Sequence, residues 1–317
     1  MKILCVMPVS EQEKKQISLA AGENTVDYIT NGFEEAASAA DIILGNVPAE
    51  CIQNNRNLKW LQANSAGVEP YIKEGVLPEG CLLTNATGGY GLAISEHMLG
   101  MYLSIIKRLH LYRDIQKECA WQDLGPVTSV YGSKVLVVGM GDIGSRFAML
   151  CKAMGATVTG VRRTDLTPSP YADEIRLTAE LDELLPGADA VALALPGTPE
   201  TSGIINAQRI AKMKKGAVLL NVGRGSAVDT EALCGALESG RLGGAGLDVT
   251  DPEPLPPNHR LWKIPTAVIT PHVSGGFHLD ATRSAIAEIF AYNLERFINK
   301  SGELKNIIDF STGYRKI

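Results

Sequence analysis

No stretch of this sequence approaches the ~20 apolar residues that a membrane-spanning helix needs. Its start, MKILCVMPVSEQEKKQ, holds too short an apolar run for a secretory leader, and charges follow at once. Positive charge is not in excess: 30 Lys and Arg stand against 35 Asp and Glu, a formal net charge of −5. That argues against nucleic acid as the main partner, since phosphate binding needs a basic face. It leaves room for a small anion held by one local arginine. The six cysteines are scattered, with no Cys-x-x-Cys. In a chain this long they read as reduced cytosolic thiols, mostly in the core. Repeats of roughly 20–50 residues and low-complexity segments are also missing. The expectation is a cytoplasmic globular protein with no membrane partner.

What is present is an alternation. The length of 317 residues suggests two domains. Short apolar runs near the N-terminus (KILCVM, TVDYIT, DIILGN, LKWLQAN, CLLTN) alternate with helix-permissive segments such as EQEKKQISLAAG and AECIQNNRN. A long helical stretch follows, about Ile94 to Cys119. Its apolar positions Met98, Met101, Tyr102, Ile105, Leu109 and Tyr112 recur at helical steps. GPVTSVYGSK then breaks the chain before a second series: KVLVVG, TVTGV, DAVALALP, AVLLNVG, GAGLDV and AVITPHV. A last helix spans about Asp280 to Asn299. Strands alternating with helices predict α/β units with parallel sheets covered on both faces.

The second series opens on KVLVVGMGDIG, with Gly139, Gly141 and Gly144 in G-x-G-x-x-G spacing. The spacing alone is weak evidence. Here it follows an apolar strand and opens a helix, the context a dinucleotide site requires. Gly139 permits the tight turn, Gly141 the approach of a pyrophosphate, and Gly144 close packing of helix on strand. In such a site the next strand usually ends in an acid that binds the ribose hydroxyls. This one, GATVTGVRRT, ends in Arg162 and Arg163 followed by Thr164. Cations there favour a 2′-phosphate, so NADP(H) is expected over NAD(H). In the alternative reading the arginines face solvent and Asp165 takes the acid's part.

Three further stretches fall at strand ends, where open α/β sheets place ligands. They are NVGRGSAVD with Arg224, LDVTDPEPLP with Asp248 and Glu253, and TPHVSGG with His272. They bring an imidazole, carboxylates and a guanidinium to strand ends: a group able to exchange a proton near neutral pH, acids able to orient it, and a clamp for an anion. No metal-ligand spacing accompanies them, so no metal is expected. His97, His110, His259 and His278 lack such company and read as surface or packing residues.

This ordered set, together with LALPGTPETSGIIN, resembles the D-isomer-specific 2-hydroxyacid dehydrogenases, over nearly the whole chain. The resemblance implies Arg224, Glu253 and His272 as the catalytic residues and places Asp248 against the nicotinamide carboxamide. It adds Asp142, Ile143, Leu195, Pro196, Thr201, Val222, Gly223, Ser274 and Gly275 as cofactor contacts. NSAGVEP matches a loop whose backbone amides hold the substrate carboxylate, which implicates Ser65, Ala66 and Gly67. Position alone adds Asn46 and Val47 to the pocket. The implied fold is a Rossmann dinucleotide-binding domain, residues 98–275, inserted in a flavodoxin-like α/β substrate domain, residues 1–97 plus 276–317. The implied active site lies in the cleft between them, and the implied assembly is a homodimer joined near the 94–119 helix.

The nearer-looking relatives are glyoxylate/hydroxypyruvate reductases, whose substrates are small 2-keto or 2-hydroxy acids. Other readings stay open. Formate dehydrogenases resemble the family but lack a Glu at the position of Glu253. A phosphoglycerate dehydrogenase would carry an added C-terminal regulatory domain and an acid at the end of the second strand. Corepressor relatives use the fold as a nucleotide-sensing interaction module without turnover.

Overall fold

The apolar runs become strands of two sheets, each parallel throughout. The structure is a computed structural model that describes residues 1–313 and Arg315. It divides into two compact units: Met1–Tyr90 with Phe277–Ile317, and Gly91–Gly276.

The first unit holds β1 (Ile3–Cys5), β2 (Val26–Tyr28), β3 (Ile42–Leu44), β4 (Trp60–Gln62) and β5 (Leu82–Thr84), with helices α1 (Glu11–Ala20) and α2 (Glu34–Ala39). The sheet order is β2-β1-β3-β4-β5, the flavodoxin-like winding. Every residue of β1, β3 and β4 is buried, as strands covered on both faces require. AECIQNNRN, expected to be helical, forms only a 3₁₀ turn at Ala49–Cys51. Pro48 precedes that turn, and three asparagines fill the rest of the segment.

The second unit begins with α3 (Gly91–Ile106) and α4 (Leu109–Lys117). They replace the single expected helix. Arg108 adopts the left-handed conformation, φ 55°, and its guanidinium bonds the Leu124 carbonyl oxygen. The break divides the apolar stripe. Met98, Met101, Tyr102 and Ile105 are buried, whereas Leu109 is exposed. Then follow β6 (Lys134–Val138), α5 (Asp142–Ala153), β7 (Thr157–Arg162), β8 (Glu174–Leu177), α6 (Leu181–Leu184), β9 (Ala190–Leu193), α7 (Ala207–Lys212), β10 (Val218–Asn221), α8 (Thr230–Glu238), β11 (Gly244–Leu247) and β12 (Ala267–Ile269). The sheet order is β12-β11-β10-β9-β6-β7-β8. The winding reverses between β6 and β9, so the crevice of a Rossmann fold opens at their carboxyl ends. Phe147 of α5 is fully buried; cutting it to Ala would cost about 3–5 kcal/mol.

The chain then closes the first unit with α9 (Asp280–Asn299), the bounds expected from sequence. Within that unit α9 packs along α1. Glu13 of α1 joins them, accepting from Arg283 Nε at 3.0 Å and Ser284 Oγ at 2.7 Å.

Candidate active site

The glycine-rich turn sits at the switch point. Gly139 has φ +100°, and a Cβ there would lie 2.5 Å from the Ala194 carbonyl oxygen. A Cβ on Gly144 would overlap the Gly139 carbonyl. Gly141 differs: a Cβ would meet nothing within 4 Å. It is the N-cap of α5, and Asp142 and Ile143 form the first turn behind it. Open space at a helix N-terminus, with its unsatisfied N–H groups and partial positive charge, fits a pyrophosphate. The Asp142 carboxylate would oppose the anion, but Arg146 Nε lies 3.2 Å from it and offsets its charge.

Next to β6, β7 ends in Arg162. Its Nη1 donates to Asp165 Oδ2 at 2.7 Å and to the Thr167 carbonyl at 3.1 Å. Asp165 Oδ1 accepts from the Thr167 amide and hydroxyl. Those two bonds, with the Arg162 charge behind them, hold the Asp165 carboxyl below the usual carboxylate range. So the guanidinium at the ribose end of the crevice already carries an internal anion. Arg163 and Thr164 are exposed. The Glu200 carboxyl is lowered by its own backbone amide and the Thr198 hydroxyl, and the Arg163 charge adds to this. Arg163 is therefore felt at the loop that follows β9.

That loop carries Leu195, Pro196 and Thr201. A Cβ on Gly223 would come within 2.6 Å of the Leu195 carbonyl oxygen, so Val222–Gly223 after β10 lies against Leu195. Thr201 is buried, and its hydroxyl donates to the Pro196 carbonyl at 2.6 Å and accepts from the Thr198 amide at 3.0 Å. It shapes the loop and does not present its hydroxyl to the crevice. Arg224 follows Gly223 with an extended backbone. Asn221 Nδ2 holds its carbonyl at 2.9 Å, and its Nη1 donates to the Gly223 carbonyl at 2.8 Å. A Cβ on Gly225 would overlap the Thr250 carbonyl, which brings the Arg224 loop onto the loop after β11.

The loop after β11 bears Asp248 and Glu253, and the loop after β12 bears His272. His272 Nδ1 lies 2.6 Å from Glu253 Oε1, with both side chains close to half exposed. An ionised carboxylate only accepts, so Nδ1 carries hydrogen toward it and Nε2 is left for proton exchange. His272 itself is left-handed, φ 52°. Asp248 is buried and takes four bonds. Oδ1 accepts from the Thr270 hydroxyl and the Val273 amide, and Oδ2 from the Ser274 amide and hydroxyl. These donors fill its lone pairs, so a carboxamide could reach it only by displacing one. Ser274 is likewise buried with its hydroxyl spent on Asp248, and Gly275 follows it half-buried. His97, read from the sequence as a surface or packing residue, joins this group: its Nε2 is 3.0 Å from Thr270 Oγ1 and 3.9 Å from Asp248 Oδ1.

In the first unit, Ser65, Ala66 and Gly67 form a turn after β4. The Ser65 hydroxyl donates to the Gly67 carbonyl, and Asn85 Nδ2 to the Ala66 carbonyl at 2.7 Å. Asn46 is exposed and exchanges hydrogen bonds with Asn64. Val47 is buried in the hydrophobic core, where Tyr71 Oη bonds its backbone.

A doubly wound sheet with a pyrophosphate turn at its switch point defines a dinucleotide-binding enzyme domain. Residues 99–274 match the family described as D-isomer specific 2-hydroxyacid dehydrogenase, NAD binding domain. A D-3-phosphoglycerate dehydrogenase of Synechocystis is 35% identical over 72% of this chain, which spans 41% of that relative. A glyoxylate reductase of Thermofilum pendens is 33% identical over 80% of this chain and 76% of its own length. An NADPH-dependent glyoxylate/hydroxypyruvate reductase of Sinorhizobium meliloti, solved with NADP and sulfate, superposes with a TM-score of 0.83 at 25% identity, covering 99% of each chain. The chain belongs to the D-isomer specific 2-hydroxyacid dehydrogenase family and is an oxidoreductase using a nicotinamide dinucleotide.

Proposed function

We propose that the chain is an NADPH-preferring reductase of small 2-keto acids such as glyoxylate or hydroxypyruvate. The observation that carries the cofactor choice is Arg162, a cation at the end of β7 where an acid would select NADH. A 2′-phosphate brings more charge and more acceptor oxygens than Asp165, and so competes for the guanidinium. Names among the relatives point to the same substrates.

Bound nicotinamide supplies the hydride. The residues of this chain do the rest. His272 holds the transferable proton at Nε2 and gives it to the keto oxygen, while Glu253 fixes the ring through Nδ1. Arg224 binds the substrate carboxylate and stabilises charge developing on the keto oxygen. The Ser65–Gly67 turn is assigned to the same carboxylate by family resemblance. The six unpaired cysteines suit a cytosolic enzyme. Leu109, Trp121, Val127 and Tyr131, all exposed along one segment, suit a homodimer that covers them.

A specific observation favours a second reading. Asp165 already neutralises Arg162 and could accept ribose hydroxyls, which would make the enzyme NADH-dependent. Initial rates with NADPH and NADH, each with glyoxylate, hydroxypyruvate, pyruvate and 2-ketoisocaproate, decide between them. Faster turnover with NADPH supports the proposal. Faster turnover with NADH assigns the ribose to Asp165. Cofactor binding without turnover of any keto acid would favour an interaction module.

A further inference from the structure

His272 must be held in a conformation that few non-glycine residues adopt. Its amide donates to the Asp248 carbonyl at 2.8 Å and the Thr270 carbonyl at 3.0 Å. On either side, Thr270, Val273 and Ser274 are tied to the buried Asp248 carboxylate. β12, which delivers this loop, is a three-residue edge strand with a neighbour on one side only. The loop therefore needs an anchor from outside the sheet.

The polarity of the hydrogen bonds identifies that anchor. The carboxylate accepts only, so Thr270 spends its one hydrogen on Asp248 Oδ1. Its lone pair must then accept, and His97 Nε2 at 3.0 Å must donate. His97 lies on α3, which packs against β10, β11 and β12 within the same unit. Its neighbours Ile94, Met98 and Met101 are buried. A rigid helix thus reaches the histidine loop through one imidazole and one hydroxyl.

We infer that His97 is a positioning residue: through Thr270 and Asp248 it holds His272 in its left-handed conformation without touching substrate. This rests on the reading of His272 as the proton donor. Losing His97 frees the Thr270 hydroxyl to rotate and weakens one of the four bonds that shape the loop. Gln keeps an N–H at a similar reach; Leu removes it.

The test uses the 317-residue chain with H97L, H97Q, T270V and the H97L/T270V double variant. Each is measured for kcat, KM, cofactor Kd and Tm, and for the His272 Cε1–H resonance in histidine-labelled protein. The loss of one signal in H272A assigns that resonance. Each single variant should lower kcat about ten-fold, within the usual range of coupled residues, with cofactor Kd unchanged. The double variant should be no worse than the poorer single, because both break one chain. H97Q should recover most of the rate, and the His272 signal should shift in H97L and T270V. An unshifted His272 signal with unchanged kcat in folded H97L would overturn the inference, as would additive losses. Retained turnover in H272A would sink the proton-donor reading instead, and the resonance would still decide whether His97 places that ring.

Discussion

Two histidines of the second unit sit beside a glutamate, and they spend their ring nitrogens differently. His272 gives Nδ1 to Glu253 at the carboxyl edge of the sheet. His259 lies 3.2 Å from Glu231 through Nε2, and its Nδ1 accepts the Leu261 amide at 3.2 Å, capping the 3₁₀ turn Arg260–Lys263. As neutral rings the two carry their hydrogen on opposite nitrogens. Both nitrogens of His259 are committed, and Glu231 is shared with Arg260 at 2.9 Å. Nε2 of His272 makes no hydrogen bond among the described residues. A His–Glu pair is therefore no mark of function in itself. What matters is which nitrogen remains and where the strand leaves it.

The sharpest way to break the comparison is to remove each ring. His272→Ala should cut kcat by about 10²–10⁴-fold, the usual contribution of a positioned acid, with cofactor affinity nearly unchanged. His259→Ala should leave kcat near wild type and lower stability by about 1 kcal/mol, read as Tm. Equal kinetic damage from both would mean that the tautomer argument fails. The glutamates extend the contrast. Glu253→Gln should reduce kcat by about ten- to a hundredfold, because the ring loses its charged partner. Glu231→Gln should change kcat by less than about twofold.

The pair at the end of β7 tests whether a carboxylate can also mute a functional cation. Arg162→Ala should raise the NADPH KM by about ten- to a hundredfold, the worth of charge-assisted hydrogen bonds, and leave NADH within about threefold. Asp165→Asn should release the guanidinium and tighten NADPH by about threefold. Loss of both cofactors alike in Arg162→Ala would sink the 2′-phosphate assignment. If Asp165→Asn weakened NADH specifically, Asp165 would be a ribose ligand.

Much of this was legible in the sequence because the signals are local. Eleven of the twelve strands among the described residues could be read from short runs rich in apolar residues; β8, carrying Glu174 and Arg176, has no such run. The break at Arg108 was hidden, since no Gly or Pro announces it. Arg224, Glu253 and His272 stand in motifs, and the family those motifs resemble pointed to 2-keto acid chemistry. What the motifs could not give is how the hydroxyls and carboxylates are spent. Thr201 and Ser274 turn inward. His97 meets Thr270 across 173 residues, and nothing near either residue in the sequence pairs them.

The mildest contrast lies in the first unit, which carries none of the residues assigned a proton transfer in the proposed mechanism. Glu13 is buried where α1 meets α9. Burial alone would raise its carboxyl, but the Ser10 amide, the Ser284 and Ser10 hydroxyls and the Arg283 guanidinium together pull it below the ordinary value of 4.5. A carboxyl lowered on folding stabilises fully above its unfolded value, and that stability is lost as pH falls through the folded one. Glu13→Gln should therefore cost about 1–3 kcal/mol at pH 7 in chemical denaturation. The gap to wild type should begin to close below about pH 5, as protonation takes the charge from the native side chain too. kcat should not follow it. If the gap stayed constant down to pH 3, the loss would be one of packing, and Glu13 would belong with the neutral staples such as Thr201.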